Sequence, residues 1–465
     1  MNVKEKVQAI KQGKLSSEKL CEEVLKAIEE NDKNGRKLNA IASINENWRK
    51  IARALDEDEN KASSSRLLYG IPVLVKDNIE VKGMANTAGS YNLQDNISED
   101  DAFVIKRLRE EGAVILGKCN LSEFAYWFSD EGMPSGYSSL NGQVVHPYNP
   151  SFDPSGSSSG SAVAVAARYL DLTVGTETDG SLMSPAISNG IVTLKPTVGL
   201  ISRSGILPLS HVQDSAGPMA NSVEDCVLLL QAMAGKDDSD PFSKNVIVKD
   251  YLQELQKDLT GKRIGVFTVK DQKHDKEYMD RLKQVIEENH GEVVELFFEE
   301  GSVDEYECLF NEFKYDINQY LESRHCKARN LADIIRMNEE NKQRCLRYGQ
   351  GLLVKSEAWS GSMDDEKYIS FRKKTDEKAR QLYDRLIKEN GLSCIATVCG
   401  SAFFNLAAVT GACSMALPAR KVNEETYDPL SYAIYGLANQ EDEIIRLAYT
   451  LQESCPLETK PSWLD

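Results

Sequence analysis

Hydrophobic positions along the chain fall into two patterns. Leu20, Val24, Leu25 and Ile28 recur at helical spacing and predict an amphipathic helix near residues 17–30; a second helix is expected over about 45–57. Elsewhere the apolar residues come in short unbroken runs. Ile71 to Val75, bounded by Gly70 and the Asp77-Asn78 turn, reads as a buried strand with Lys76 at its mouth. DDAFVIKRLREEGAVILGKCNLSEFA reads as a helix stopped at Gly112, then a strand and a turn. Ala162–Tyr169 is a helix of small residues, Leu172–Val174 a strand, and Ile191–Leu194 another that Lys195-Pro196 stops. Ser222 is placed to cap a helix that ends at Gly235.

The second half repeats the alternation. RIGVFTV (263–269), a helix at 276–289 and EVVELFF (292–298) make a strand–helix–strand unit. Residues 303–390 are mostly helical and highly charged, as expected of a cover or insertion. SCIATV (393–398) returns as a strand, and a last helix is expected near 440–453. Strands alternating with helices place the chain in the α/β class with a mainly parallel sheet.

Charge and composition narrow the function. Of 465 residues, 41% are hydrophobic and 27% charged, the balance of a globular protein that buries a sizeable core. The net charge is −17 and the pI about 5.0, which argues against a broad phosphate-binding surface and so against direct nucleic-acid binding. The charged amino terminus lacks the apolar core of a signal peptide, and no run is long enough to cross a membrane. Ten cysteines without a CxxC are expected to be reduced and buried, in keeping with a cytoplasmic setting. The five histidines (His146, His211, His274, His290, His325) form neither HxH nor HExxH, so no metal site is expected.

The chemistry concentrates between Asp153 and Gly199. Ser157, Ser158 and Ser159 stand between Gly156 and Gly160, and a second turn, Gly175 to Ser181, ends on a serine. Such turns let the backbone approach a ligand closely, and their unpaired N–H groups form a concave site for negative charge. A hydroxyl beside such a nest can attack a carbonyl and have its oxyanion held at once. Gly156–Gly160 satisfies G-x-S-x-G with Ser158 central, but that elbow needs a strand before it, and PYNPSFDPS cannot supply one. Ser16/Lys19 and Ser370/Lys373 match S-x-x-K by spacing alone, without SDN or KTG. A third arrangement, a lysine base with two serines, remains.

GIPVLVKDN, GSSSGSAVAVAA, GTETDGS and LKPTVGL, in this order, resemble the amidase signature family, and the likeness spans nearly the whole chain. GYSSLNGQ and the two glycine-rich blocks are most similar to the peptide amidases, which remove a C-terminal amide. The resemblance implies one domain over 1–465, with a signature core at 60–235, the helical cover at 303–390 and a large mixed, mainly parallel central sheet covered by helices on both faces. It implies Lys76 as base, Ser157 as a bridging serine on a cis peptide bond, and Ser181 as nucleophile. The oxyanion hole would be the backbone N–H groups of Thr178, Asp179, Gly180 and Ser181. Neutral Lys76 would draw a proton from Ser157, and Ser157 one from Ser181. Ser181 would then form an acyl-enzyme that water hydrolyses, with no metal or organic cofactor.

Three departures from the family pattern bear on substrate. Asp179 stands where glycine is usual, and its carboxylate is expected either to point away or to bind substrate, since otherwise it would raise the pKa of Lys76. Met183 replaces an arginine, removing a charge pair. Thr410-Gly411-Ala412 replaces a Pro-bearing turn in a region expected to shape the acyl pocket. The expected activity is hydrolysis of a small-molecule or peptide primary amide. Two alternatives are a glutaminase subunit that feeds ammonia to a partner and a silent binding protein on the same scaffold. Oligomeric state is not encoded in any of these patterns.

Overall fold

The computed structural model describes residues 1–268, 276–297, 302–398 and 403–465. Its strands are β1 (Ile41–Ile44), β2 (Pro72–Lys76), β3 (Val114–Cys119), β4 (Tyr137–Ser138), β5 (Gly142–Gln143), β6 (Leu172–Glu177), β7 (Val192–Lys195), β8 (Ser215–Ala220), β9 (Arg263–Thr268), β10 (Glu292–Phe297), β11 (Cys394–Val398), β12 (Ser414–Pro418) and β13 (Ser431–Tyr435). β4 and β5 form a small hairpin. The other eleven make one sheet in the order β1-β3-β2-β6-β8-β7-β12-β13-β11-β9-β10. The sheet is mixed: β3–β2–β6 and β11–β9–β10 are parallel blocks, and antiparallel pairings join them through the middle.

The short apolar runs become this sheet because every residue of β2, β3 and β6 is buried. Helices cover such strands on both faces, so nothing selects for alternation. The helix Ser159–Ala166 is likewise buried at every position. Its small side chains permit this: a Cβ on Gly160 would lie 2.3 Å from the Ala40 carbonyl oxygen and 2.4 Å from that of Asn120.

Element boundaries moved where polar residues continue a buried strand. β6 runs on through Gly175-Thr176-Glu177, which composition marks as a turn, because β8 pairs with it as far as Glu177↔Ser215. β2 extends to Lys76 and β7 to Lys195 for the same reason. The first expected helix ends at Ala27 and continues as a π-helical stretch, Ile28–Lys33; the second spans Trp48–Asp56. Ser222 caps Val223–Met233 by accepting the Asp225 N–H at 3.1 Å. Residues 269 and 298, expected to end two strands, lie outside the described residues. Helices Val3–Lys11, Met183–Asn189 and Phe404–Thr410, and strands β1, β8, β12 and β13, are additions.

Between residues 303 and 390 lie the helices Tyr306–Glu322, Leu331–Glu340, Lys342–Cys345, Gly351–Glu357 and Glu366–Glu389. Phe313, Ile317, Leu321 and Leu353 of this segment share an apolar cluster with Phe124, Phe128 and Leu207. The segment therefore lies against the loops that follow β3 and β7. Among the described residues no helix is long and apolar enough to cross a membrane.

Candidate active site

Lys76 ends β2 with its side chain fully buried. Its Nζ lies 2.7 Å from Ser157 Oγ, 3.0 Å from Ser158 Oγ, 2.9 Å from Thr176 Oγ1 and 3.1 Å from the Thr176 carbonyl oxygen. Parallel pairing of β2 with β6 sets these contacts, since it brings the ends of both strands to one edge. Burial lowers the Lys76 pKa to about 7, and the nearby carboxylates of Asp214 and Glu177 oppose that fall. The amine is thus poised between its charged and neutral forms near neutral pH.

Ser157 follows a cis peptide bond from Gly156, and its hydroxyl is fully buried against Lys76. Its carbonyl oxygen accepts the Ser122 N–H at 3.1 Å. Ser158, passed over as a nucleophile, has a different task. Its hydroxyl donates to the Thr176 carbonyl at 2.9 Å and accepts the Thr176 N–H at 3.2 Å, which fastens the serine turn to β6. Its own N–H donates to the Ser181 carbonyl at 3.3 Å. The two serine-bearing turns are therefore held side by side.

Thr178, Asp179, Gly180 and Ser181 form the turn after β6. Gly180 has φ +72°, a left-handed conformation that favours glycine. The backbone N–H groups of these four residues donate to no acceptor among the described residues. Unpaired N–H groups on one turn make an anion-binding concavity. Ser181 Oγ also makes no hydrogen bond among the described residues and faces a cavity of about 430 Å³. Lys76 and Ser157 are brought into hydrogen-bonding contact, whereas Ser157 and Ser181 are adjacent with their hydroxyls unlinked. Catalytic hydrogen bonds are often long without substrate and close only in its complex.

The surroundings explain the three departures. Asp179 is exposed to the cavity, its carboxyl acts on Glu305 rather than on Lys76, and Asp214 and Glu177 are the carboxylates that act on Lys76. Glu305, just before the helix Tyr306–Glu322, is buried and accepts Gln213 Nε2 at 2.8 Å. Met183 is buried in an apolar cluster with Leu406 and Ala407, surroundings that leave no place for an arginine's charge. Thr410, Gly411 and Ala412 do not line the cavity. Gly411 instead ends the helix Phe404–Thr410 at φ +67°, and the Ala412 carbonyl accepts Lys195 Nζ at 2.6 Å. The cavity walls include Ala125, Tyr126 and Trp127 from the loop after β3 and Glu305, Tyr306 and Leu309 from the start of the helical segment.

Several of these residues carry no legible signal in the sequence. Thr176 and Asp214 act through strand register, and Glu305 through long-range docking. Ser158 had a signal, three consecutive hydroxyls, but nothing to separate its role from that of Ser157. Ser16 is a helix cap that accepts the Lys19 N–H at 3.2 Å, and Ser370 and Lys373 are exposed on the helix Glu366–Glu389. His274 lies outside the described residues, and among the described residues no three metal-ligating side chains cluster.

Residues 19–443 match the protein family described as Amidase. A probable amidase of Arabidopsis thaliana is 36% identical over 478 residues, covering 98% of this chain and 90% of the relative. Native peptide amidase from Stenotrophomonas maltophilia superposes with a TM-score of 0.93 at 34% identity, covering 99% of this chain and 98% of that one. A glutamyl-tRNA(Gln) amidotransferase subunit of Clostridium novyi is 43% identical over 217 residues, but these cover only 47% of this chain and 44% of that protein. By family, by full-length likeness and by fold, the chain belongs to the Amidase family and is a hydrolase of carbon–nitrogen amide bonds.

Proposed function

We propose that the protein hydrolyses primary carboxamides, with peptide C-terminal amides as the preferred class, through an acyl-serine intermediate. The observation that carries this reading is the fully buried Lys76 amine, 2.7 Å from Ser157 Oγ, beside a turn whose serine opens on a cavity. A serine hydroxyl is a poor nucleophile until a base takes its proton, and lysine can do so only when neutral. Burial supplies that condition. Neutral Lys76 takes the Ser157 proton as Ser157 takes the Ser181 proton. Ser181 Oγ attacks the amide carbon, and the N–H groups of Thr178, Asp179, Gly180 and Ser181 hold the oxyanion. The proton returns along the same route to the leaving nitrogen, ammonia departs, and water cleaves the ester in the reverse sequence.

One unbroken sheet supports reading the 465 residues as a single domain, with 60–235 as its catalytic core and 303–390 as a cover over the cavity. The nine described cysteines are free thiols, eight of them buried, which favours a cytoplasmic setting. Ammonia release from peptide amides by the isolated chain, without ATP or a partner, is the direct test. A fluorophosphonate should label Ser181 in the native protein and leave Ser181→Ala unlabelled, as read by peptide mass spectrometry. Labelling at any other serine would overturn the assignment.

A further inference from the structure

Two carboxyl groups meet at the wall of the substrate cavity. Asp179 and Glu305 both line it and are close enough for each to shift the other's titration. Burial first, and then the neighbouring Asp179 charge, push the buried Glu305 carboxyl well above the usual carboxylate range, while burial also raises the Asp179 pKa and the proximity of Glu305 works to lower it, so the negative charge of the pair rests on Asp179. Asp179 is the member open to the cavity, two positions before Ser181. The cations behind the pair, Lys195 and Arg372, attract its charge but make no hydrogen bond to it. Lys195 Nζ donates to the Ala412 and Pro196 carbonyls, and Arg372 donates to Gln213 Oε1 at 2.9 Å and is paired with Asp376.

The cavity itself has no lysine or arginine among its described lining residues. Its third carboxylate, Asp130, is paired with Lys355. Aromatic rings complete the wall. Tyr126 and Tyr306 are 39% and 54% exposed, and the Trp127 and Tyr306 ring centroids lie 5.5 Å apart. Aromatic faces attract cations, and a half-enclosed site screens charge less than open water does.

We infer that the paired carboxyls of Asp179 and Glu305 make the cavity charge-selective, favouring amides that carry an ammonium or guanidinium group and rejecting those that carry a carboxylate. The inference rests on the reading of this cavity as the place where Ser181 meets substrate. It also gives the hydrolytic product, itself a carboxylate, a reason to leave.

The test uses three straight-chain primary amides of equal length, ending in an ammonium, a methyl or a carboxylate. For the full-length protein, kcat/KM should fall in that order, with the extremes roughly tenfold or more apart. Glu305→Gln leaves Asp179 ionised, so the order should persist. The double variant Asp179→Asn/Glu305→Gln removes the charge, and the order should collapse. Calorimetric titration of Ser181→Ala with the same amides reads the preference as binding, independent of turnover. Absence of hydrolysis of all three would count against the proposed activity, and the titration would still decide this inference. Equal treatment of the three end groups by the unaltered protein, or an order that survives in the double variant, would overturn it.

Discussion

The Glu177 carboxylate accepts the backbone N–H of Leu182 at 2.7 Å and that of Met183 at 3.0 Å, closing the turn that carries Ser181 between a strand and a helix. Both N–H groups belong to the first turn after the nucleophile position and are buried. Glu177→Ala leaves them unpaired, at about 1–3 kcal/mol each. The expected outcome is a lowered urea midpoint together with a fall in kcat, because the turn that presents Ser181 loses its tie. Glu177→Gln keeps an acceptor oxygen and should recover most of the midpoint. Equal losses in the two variants would mean that the charge, not the hydrogen bonding, is what matters.

The pH dependence follows from Lys76. Its pKa is lowered from the ordinary lysine value to about 7 by burial. The base form is the neutral one, so kcat/KM should rise with pH through about 7 and level off above it. Asp214 is the first carboxylate that opposes this shift, and its own pKa, pushed up to about 6 by burial, leaves it ionised where Lys76 titrates. Asp214→Asn removes a charge that favours the ammonium, so the rising limb should move to lower pH. Steady-state rates on an uncharged amide across pH 5 to 9 give the answer; a limb displaced upward would contradict the assignment of Lys76 as base.

Ser157 and Ser158 both contact Lys76, yet their hydroxyls are set to do different work. Ser158 already donates to the Thr176 carbonyl, whereas the Ser157 hydroxyl bonds only to Lys76 among the described residues. Ser157→Ala should therefore lower kcat by about 10²–10⁴, the range of a lost proton-transfer group. Ser158→Ala should act on stability more than on rate, since it loosens the serine turn from β6. Comparing kcat and thermal midpoint for the pair separates a relay from a brace.

Much of this was readable from residue order. Lys76, Ser157 and Ser181 sit in blocks that resemble the amidase signature family, and the structure brings the Lys76 amine to 2.7 Å from Ser157 Oγ beside the turn that carries Ser181. β2, β3 and β6 were visible because a strand buried on both faces is a nearly continuous apolar run. What escaped has a common cause. β8 opens on the small residues Ser215-Ala216-Gly217 and β12 is only five residues ending on a proline, so their strand character comes from pairing more than from side chains. Val3–Lys11 hides within a charged stretch and is a helix partly because Asn2 and Glu5 cap one another. That Glu305 lines the same cavity as Asp179 was out of reach, because Glu305 is distant in the chain and only the docked helices bring it there.

Behind the site, Lys118 of β3 reaches Asp77, the residue after Lys76, across a fully buried gap of 3.0 Å. The Lys118 ammonium also donates to the Ala85 carbonyl at 2.8 Å and to Asn86 Oδ1 at 2.9 Å, while Thr87 holds the other Asp77 oxygen. Removing one member of such a pair strands the other charge away from water, at a cost of about 3–5 kcal/mol. Lys118→Met should thus lower the thermal midpoint far more than Lys76→Met. Lys76, with its pKa lowered to about 7, is only partly charged near neutral pH and has no carboxylate at hydrogen-bonding distance to strand. The two lysines, one strand apart, are expected to separate by readout, Lys118 in calorimetric unfolding and Lys76 in amide turnover. A Lys118→Met protein as stable as the parent would show that the Asp77 carboxylate is satisfied by its neighbours alone.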